Sequence, residues 1–326
     1  MSFKVVFDGK TKDERPMKNV YSDTMKELME KSDKIVVGES DIGNGIWAPD
    51  FYEMRKKYGD RFYDVGIQEA NMIGVAAGMS VAGKVPYVHS FAPFVTRRAC
   101  DTIFVSCSYA KLNVRLIGSD PGIMTGYNGG THMSFEDIGI MRGFPQMTVM
   151  DVTDGAMLED VLKQTSEAYG MFYIRLTRGV NCEKVYSDGS TFEFGKANIL
   201  KDGNDVTIIA AGMMVPEALR AYETLKSQGV AARVIDIFTI KPIDVDLINE
   251  CAAKTGAIVT AENHNVINGL GTAVAEVLVS NKPCPVAMVG VQDEFGEVGS
   301  TEYLAQRFKL TAEEIVKKAL SVIKRK

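Results

Sequence analysis

Short apolar runs alternate with segments of helical periodicity along almost the whole chain. The runs at 34–38 (KIVVG), 61–65 (RFYDV), 85–90 (VPYVHS), 113–119 (NVRLIGS), 147–152 (MTVMDV) and 172–177 (FYIRLT) predict strands. Helical patterns lie between them. Over 154–169, for example, Met157, Leu158, Val161 and Leu162 recur at helix spacing. Strands that are apolar on both faces and separated by helices imply a mainly parallel sheet covered on both sides.

The rhythm breaks at 179–203, a polar, turn-rich stretch that reads as a linker carrying one short strand. A second α/β series follows. It has strands at 205–212, 232–239, 257–262 and 285–291 and helices at 216–228 and 270–280. Pro216 suits a first helical turn, Gly229 a helix end, and Thr311 with Glu314 a capping box. The pattern predicts two α/β domains, residues 1–185 and 186–326. No repeat marks a solenoid.

Composition narrows the classes. A chain of 326 residues suits about two domains at ~150 residues each. The balance of 37 basic to 42 acidic residues argues against a nucleic-acid binder that relies on a positive field. The five cysteines are scattered, with no C-x-x-C pair, which disfavours a disulfide framework or structural zinc and suits a reducing cytoplasm. The first residues carry charges throughout, unlike a signal peptide, and the weakly polar stretch 65–83 holds Glu69 and makes a poor membrane span. Three histidines, distant from one another and from the cysteines, offer no metal-ligand spacing.

Four features remain as candidate chemistry. Glu69 is the only charged residue of 65–83. It is either an acid in a first helical turn, favoured by the helix dipole, or a carboxyl in an apolar crevice whose desolvation raises its pKa. The loop 119–137 carries Gly122, Gly126, Gly129 and Gly130 and then His132. It is either a mobile turn or a ligand loop at a strand's carboxyl end. Phe91 and Phe94 follow a strand as core residues or as a stacking platform, and of Arg97 and Arg98 just after them, at least one is expected on a solvated face. Arg178 either holds an anion or makes a structural cap or ion pair.

The segments GESDIGNG (38–45), YDVGIQEANMIGVAAGMSVAG (63–83), SFAPFVTRRACDTI (90–103), GYNGGTHMSFEDIGIMRGFPQMTVM (126–150) and RLTRG (175–179) resemble, in this order, the pyrimidine-binding domain of transketolase. AAGMMVPEAL, VIDIFTIKPID, TAENHNVINGLGTAVAEV and GVQDEFGEVGSTEYL resemble the transketolase C-terminal domain. The resemblance runs from about Arg15 to the end. It implies two three-layer α/β domains and a two-carbon ketol transfer that depends on thiamine diphosphate, with ketose and aldose phosphates of the pentose-phosphate kind as substrates. The family's N-terminal G-D-G…N motif, which binds the metal and the diphosphate, is not found. The resemblance therefore implies half of a split enzyme. A partner subunit would supply the diphosphate and Mg2+ or Ca2+ site in an α2β2 assembly, and neither nucleic acid nor membrane is an expected partner.

By the same resemblance, Glu69 bonds the ring nitrogen of the cofactor's aminopyrimidine and favours the tautomer that takes the thiazolium proton. Phe94 stacks on that ring with Phe91 close by. Ile67 and Ile42 line the cofactor, and Asp41 lies near it at the seam between the two chains. His132 reaches the sugar, Arg178 holds its phosphate, and Arg15 matches a second phosphate arginine. Asn128 replaces an aspartate that contacts a substrate hydroxyl. Asp120 stands where many transketolases have a substrate histidine, and Gly45 replaces a phosphate-binding serine. These departures imply an altered phosphate clamp and a modified or unusual sugar. The rival readings are the beta subunit of a 2-oxoacid dehydrogenase first component, whose loop would lack the T-H-x-x-x-E-D segment, a deoxyxylulose-phosphate synthase half, and a non-catalytic binding protein on the same fold.

Overall fold

A computed structural model describes residues 2–47, 49–178 and 182–326. Gly179, Val180 and Asn181, which open the expected linker and close the RLTRG segment, lie outside the described residues.

Six strands of the first half pair in parallel. They are β1 (Ile35–Glu39), β2 (Phe62–Asp64), β3 (Val85–Phe91), β4 (Val114–Ser119), β5 (Met147–Asp151) and β6 (Met171–Leu176). β1, β4 and β6 are buried at every position, the pattern of a sheet covered on both faces. Helices Met17–Lys31 and Gly155–Glu167 pack together on one face, and helix Glu69–Val81 lies against β3. Its Met72, Ile73, Ala76 and Ala77 are buried, three and four residues apart on one side of the helix.

The second half forms a sheet of β7 (Asn198–Lys201), β8 (Val206–Ala210), β9 (Ala232–Asp236), β11 (Ile258–Asn265) and β12 (Val286–Val291), in the order β12-β11-β8-β9-β7, with β7 antiparallel. Helix Leu270–Ser280 spans the predicted residues, and Thr311 accepts from the Glu314 backbone N–H at 3.4 Å as the capping box requires. Pro216 is the third residue of helix Met214–Ser227, inside its first turn.

One expectation is corrected. The run 232–239 is not a single strand. β9 ends at Asp236, and β10 (Thr239–Lys241) joins the other sheet, antiparallel to β5 at its edge. Asp236 is fully buried and accepts from Thr153 Oγ1 and Tyr186 Oη at 2.7 Å each. These bonds hold the chain where it crosses between sheets. The N-terminal arm ties the halves further, with Ser2, Val5 and Lys12 bridged to Thr191, Tyr186 and Glu183.

The first sheet runs β2-β1-β3-β4-β6-β5-β10. From β1 the chain turns to one side for β2 and to the other for β3. The carboxyl ends of β1 and β3 therefore flank a topological switch point, the place where open α/β sheets bind ligands.

Candidate active site

The loops at that switch point converge. Ser40 and Ser90, which follow β1 and close β3, are joined through their hydroxyls at 2.9 Å. Ser90 Oγ donates to Glu69 Oε1 at 3.3 Å. Glu69 opens its helix and is only 2% exposed. The crevice around it is not wholly apolar: Arg98 reaches both carboxylate oxygens, at 2.8 and 2.7 Å. This corrects the reading of Glu69 as a carboxyl among apolar groups alone. Both arginines stand at the exposed rim, as expected of at least one of them. Arg97, half exposed, bonds Glu136 at 2.6 Å and the Thr131 carbonyl at 3.3 Å, so both arginines are engaged. The cause is local. Phe94–Arg98 winds as a π-helical turn, which rotates successive side chains differently from an α-helix.

Aromatic rings form the next layer. The His132 ring lies 5.0 Å from Phe94 and 5.5 Å from Phe91, edge to face in both cases, and Phe91 lies 5.8 Å from Phe94. Thr131 Oγ1 and His132 Nδ1 are 3.0 Å apart. Arg98 sits 4.1 Å over the Phe94 ring and Arg178 4.2 Å over the Phe91 ring. Asp120 holds Arg178 twice at 2.6 Å, accepting from its backbone N–H and from its Nε. Asp120 itself adopts a left-handed backbone, φ 50°. A Cβ on Gly45 would stand 2.3 Å from the Arg178 guanidinium, so the absence of a side chain at 45 makes room for that cation.

The remaining predicted residues differ in placement. Asp41 is exposed with φ 64°, and its backbone N–H donates to Asp64 at 3.0 Å. Ile42 is half-buried, while Ile67 is 69% exposed, an apolar side chain left facing outward beside Glu69. Asn128 is exposed at the end of the Gly122–Asn128 segment. Arg15 shares none of the cluster's contacts. Its guanidinium is exposed between Asp23 and Glu159, 3.4 Å from each.

Sequence reasoning missed a buried network behind the site. Glu39 accepts from Trp47 Nε1 at 2.6 Å and meets His89 Nδ1 at 2.7 Å, with all three residues buried. The available signal was an acid ending the otherwise apolar run IVVGE.

The donor set fits one end of a cofactor. A buried carboxylate beside an aromatic face suits a flat, basic heteroaromatic ring. Among the described residues no group of three or more His, Cys, Asp or Glu is placed to hold a metal ion. No helix of the described residues is long and apolar enough to cross a membrane.

Comparison with known proteins gives the family. Residues 13–182 match the transketolase pyrimidine-binding domain and residues 195–315 the transketolase C-terminal domain. The chain belongs to the transketolase family, whose members depend on thiamine diphosphate, and it is a subunit of the split form of that enzyme, a transferase. It is 47% identical over 314 residues to the 6-deoxy-6-sulfo-D-fructose transketolase subunit SqwH of Clostridium sp. (strain MSTE9), covering 96% of each chain. It is 34% identical over 305 residues to an apulose-4-phosphate transketolase subunit of Phocaeicola vulgatus, covering 94% of this chain and 96% of the relative. A solved split gene transketolase, described as an inactive beta4 tetramer, superposes with a TM-score of 0.86 at 40% identity, over 95% of this chain and 98% of that one.

Proposed function

We propose that this chain, through a pyrimidine-binding domain at 1–185 and a C-terminal domain at 186–326, builds the aminopyrimidine and sugar side of a shared site. A separate N-terminal-half subunit supplies the diphosphate side with Mg2+ or Ca2+, in an α2β2 enzyme. The observation that carries this is the buried Glu69 carboxylate beside the Phe94 ring at the switch point. When bound, thiamine diphosphate supplies the electron sink that lets a ketose carbon–carbon bond break.

This chain's residues do the rest. Glu69, anchored by Ser90, holds or moves a proton at the ring nitrogen. Phe94, Phe91, Ile42 and the outward-facing Ile67 wall off water, and Ile67 is covered only when the partner docks. Asp41 borders that seam. His132, set against both phenyl rings, hydrogen-bonds the sugar oxygen at the breaking bond, and Asn128 binds a hydroxyl further along.

Arg178 takes the anionic tail of the sugar. Asp120 offsets much of its charge, and Gly45 adds no hydroxyl. That balance suits a tail of one negative charge, a sulfonate, better than a phosphate of about −1.5 to −2. The similarity to the sulfofructose enzyme supports the same choice. Arg15, engaged with Asp23 and Glu159, is free for a tail only if those pairs open.

The test is reconstitution. This chain and its diphosphate-binding partner are assayed apart and mixed, with thiamine diphosphate and Mg2+, on 6-deoxy-6-sulfofructose and on fructose 6-phosphate as donors. Transfer is expected only from the mixture, with the higher kcat/KM for the sulfonate. Full activity from this chain alone overturns the shared site, and a preference for the phosphate overturns the assignment of the tail.

A further inference from the structure

Two surfaces of the site, the Glu69 carboxylate and the Phe94 ring face, are both taken by one side chain. Arg98 donates through one nitrogen, Nη1, to both carboxylate oxygens, at 2.8 and 2.7 Å, and lies 4.1 Å over the ring. A guanidinium is flat and cationic, and it satisfies a carboxylate and an aromatic face together. A basic aminopyrimidine would make the same pair of contacts. The two cannot be there at once.

We propose that Arg98 is a displaceable stand-in for the cofactor ring, a positioning residue that holds Glu69 in place beforehand and must swing out for thiamine diphosphate to bind. This rests on the reading that Glu69 meets the aminopyrimidine. The asymmetry of the pair sets which partner moves. The Glu69 side chain is 2% exposed and is also held by Ser90, whereas the Arg98 side chain is 45% exposed and has solvent to enter. A buried carboxylate without a partner is costly, so the stand-in keeps the free subunit's site intact. Arg97 next door is separately fastened to Glu136 and to the Thr131 carbonyl, so the His132 loop keeps its anchor while Arg98 leaves.

The experiment titrates thiamine diphosphate by calorimetry into the assembled two-subunit complex with saturating Mg2+. Wild type is compared with Arg98→Ala, Arg98→Lys and Glu69→Ala, and thermal unfolding of each free subunit is followed in parallel. Arg98→Ala is expected to bind the cofactor about two- to fivefold more tightly, the scale of one partly exposed ion pair. It is also expected to lower the free subunit's melting temperature. Arg98→Lys, which keeps the charge but cannot lay a flat guanidinium over the Phe94 ring, falls between. A purely structural arginine would lower stability without tightening binding. Unchanged or weaker binding by Arg98→Ala, while Glu69→Ala weakens binding, overturns the stand-in alone. Binding unchanged in Glu69→Ala overturns the reading beneath it. A crystal structure of the loaded complex gives an independent check: Arg98 turned away from Glu69 supports the proposal, and Arg98 still bonded to it overturns it.

Discussion

Two clusters in this molecule share the same ingredients, arginine, carboxylate and histidine, and differ in whether solvent reaches them. Between the sheets, Arg175 and Asp137 are fully buried. Arg175 donates to Asp137 through Nε at 2.9 Å, to Asp151 at 2.7 Å and to the Asn263 carbonyl at 3.0 Å. His264 donates through Nδ1 to the Asn265 carbonyl at 2.7 Å and accepts at Nε2 from the Gly139 N–H at 3.3 Å. Burial holds it neutral, with its pKa pulled down to about 4. Glu262 caps helix Leu270–Ser280 by accepting from the N–H groups of Leu270 at 2.6 Å and Gly271 at 2.8 Å, and burial pushes its pKa up to about 7. At the switch point solvent reaches the pairs instead, with the Arg97 and Arg98 side chains nearly half exposed. Sealed polar groups specify architecture, and pairs that solvent reaches can exchange a partner for a ligand.

The largest expected effect tests the open cluster. Glu69→Ala should cut ketol transfer by the assembled complex about 10²- to 10⁴-fold, the usual loss of one positioned acid–base group, while the complex still assembles. Near wild-type turnover would move Glu69 to the architectural side. Next, Arg175→Met leaves Asp137 and Asp151 buried without their cation. Urea unfolding should show a loss of about 3–5 kcal/mol, with kcat of the folded fraction retained. A fall in kcat at full stability would make the sealed cluster functional and erase the contrast.

The smallest effect concerns pH. The folded-state pKa of Glu262 lies above its ordinary value of 4.5, so its contribution to stability is complete below that value and is lost as pH rises through about 7. Asp236, also raised to about 7 by burial, acts with the same sign. His264 has the opposite sign, its contribution being present above 6.5 and lost as pH falls through about 4. Between pH 6.5 and 8 only the carboxyl contributions change. Thermal unfolding of Glu262→Gln should therefore fall less steeply than wild type over that interval, by about 2 °C. An identical slope would remove Glu262 from the sealed cluster's pH response.

Much of this was legible beforehand because it is local. Apolar periodicity marked nearly every strand, Thr311 and Glu314 announced a cap, and the solitary charge in 65–83 singled out Glu69. Local patterns record which face of an element avoids water, and they carry no information on which distant group a side chain meets. β10, Thr239-Ile240-Lys241, has only three residues and follows β9 after a gap of two, so nothing along the chain shows that it leaves one sheet for the other. The grip of Arg98 on Glu69 and the cradle of Asp120 and Gly45 around Arg178 likewise join residues far apart in order. The amino-acid order alone determined an α/β chain with a lone acid and a glycine-rich histidine loop at strand ends. Only the folded sheet, by bringing the carboxyl ends of β1 and β3 together, decided which charges are sealed and which remain open to a ligand.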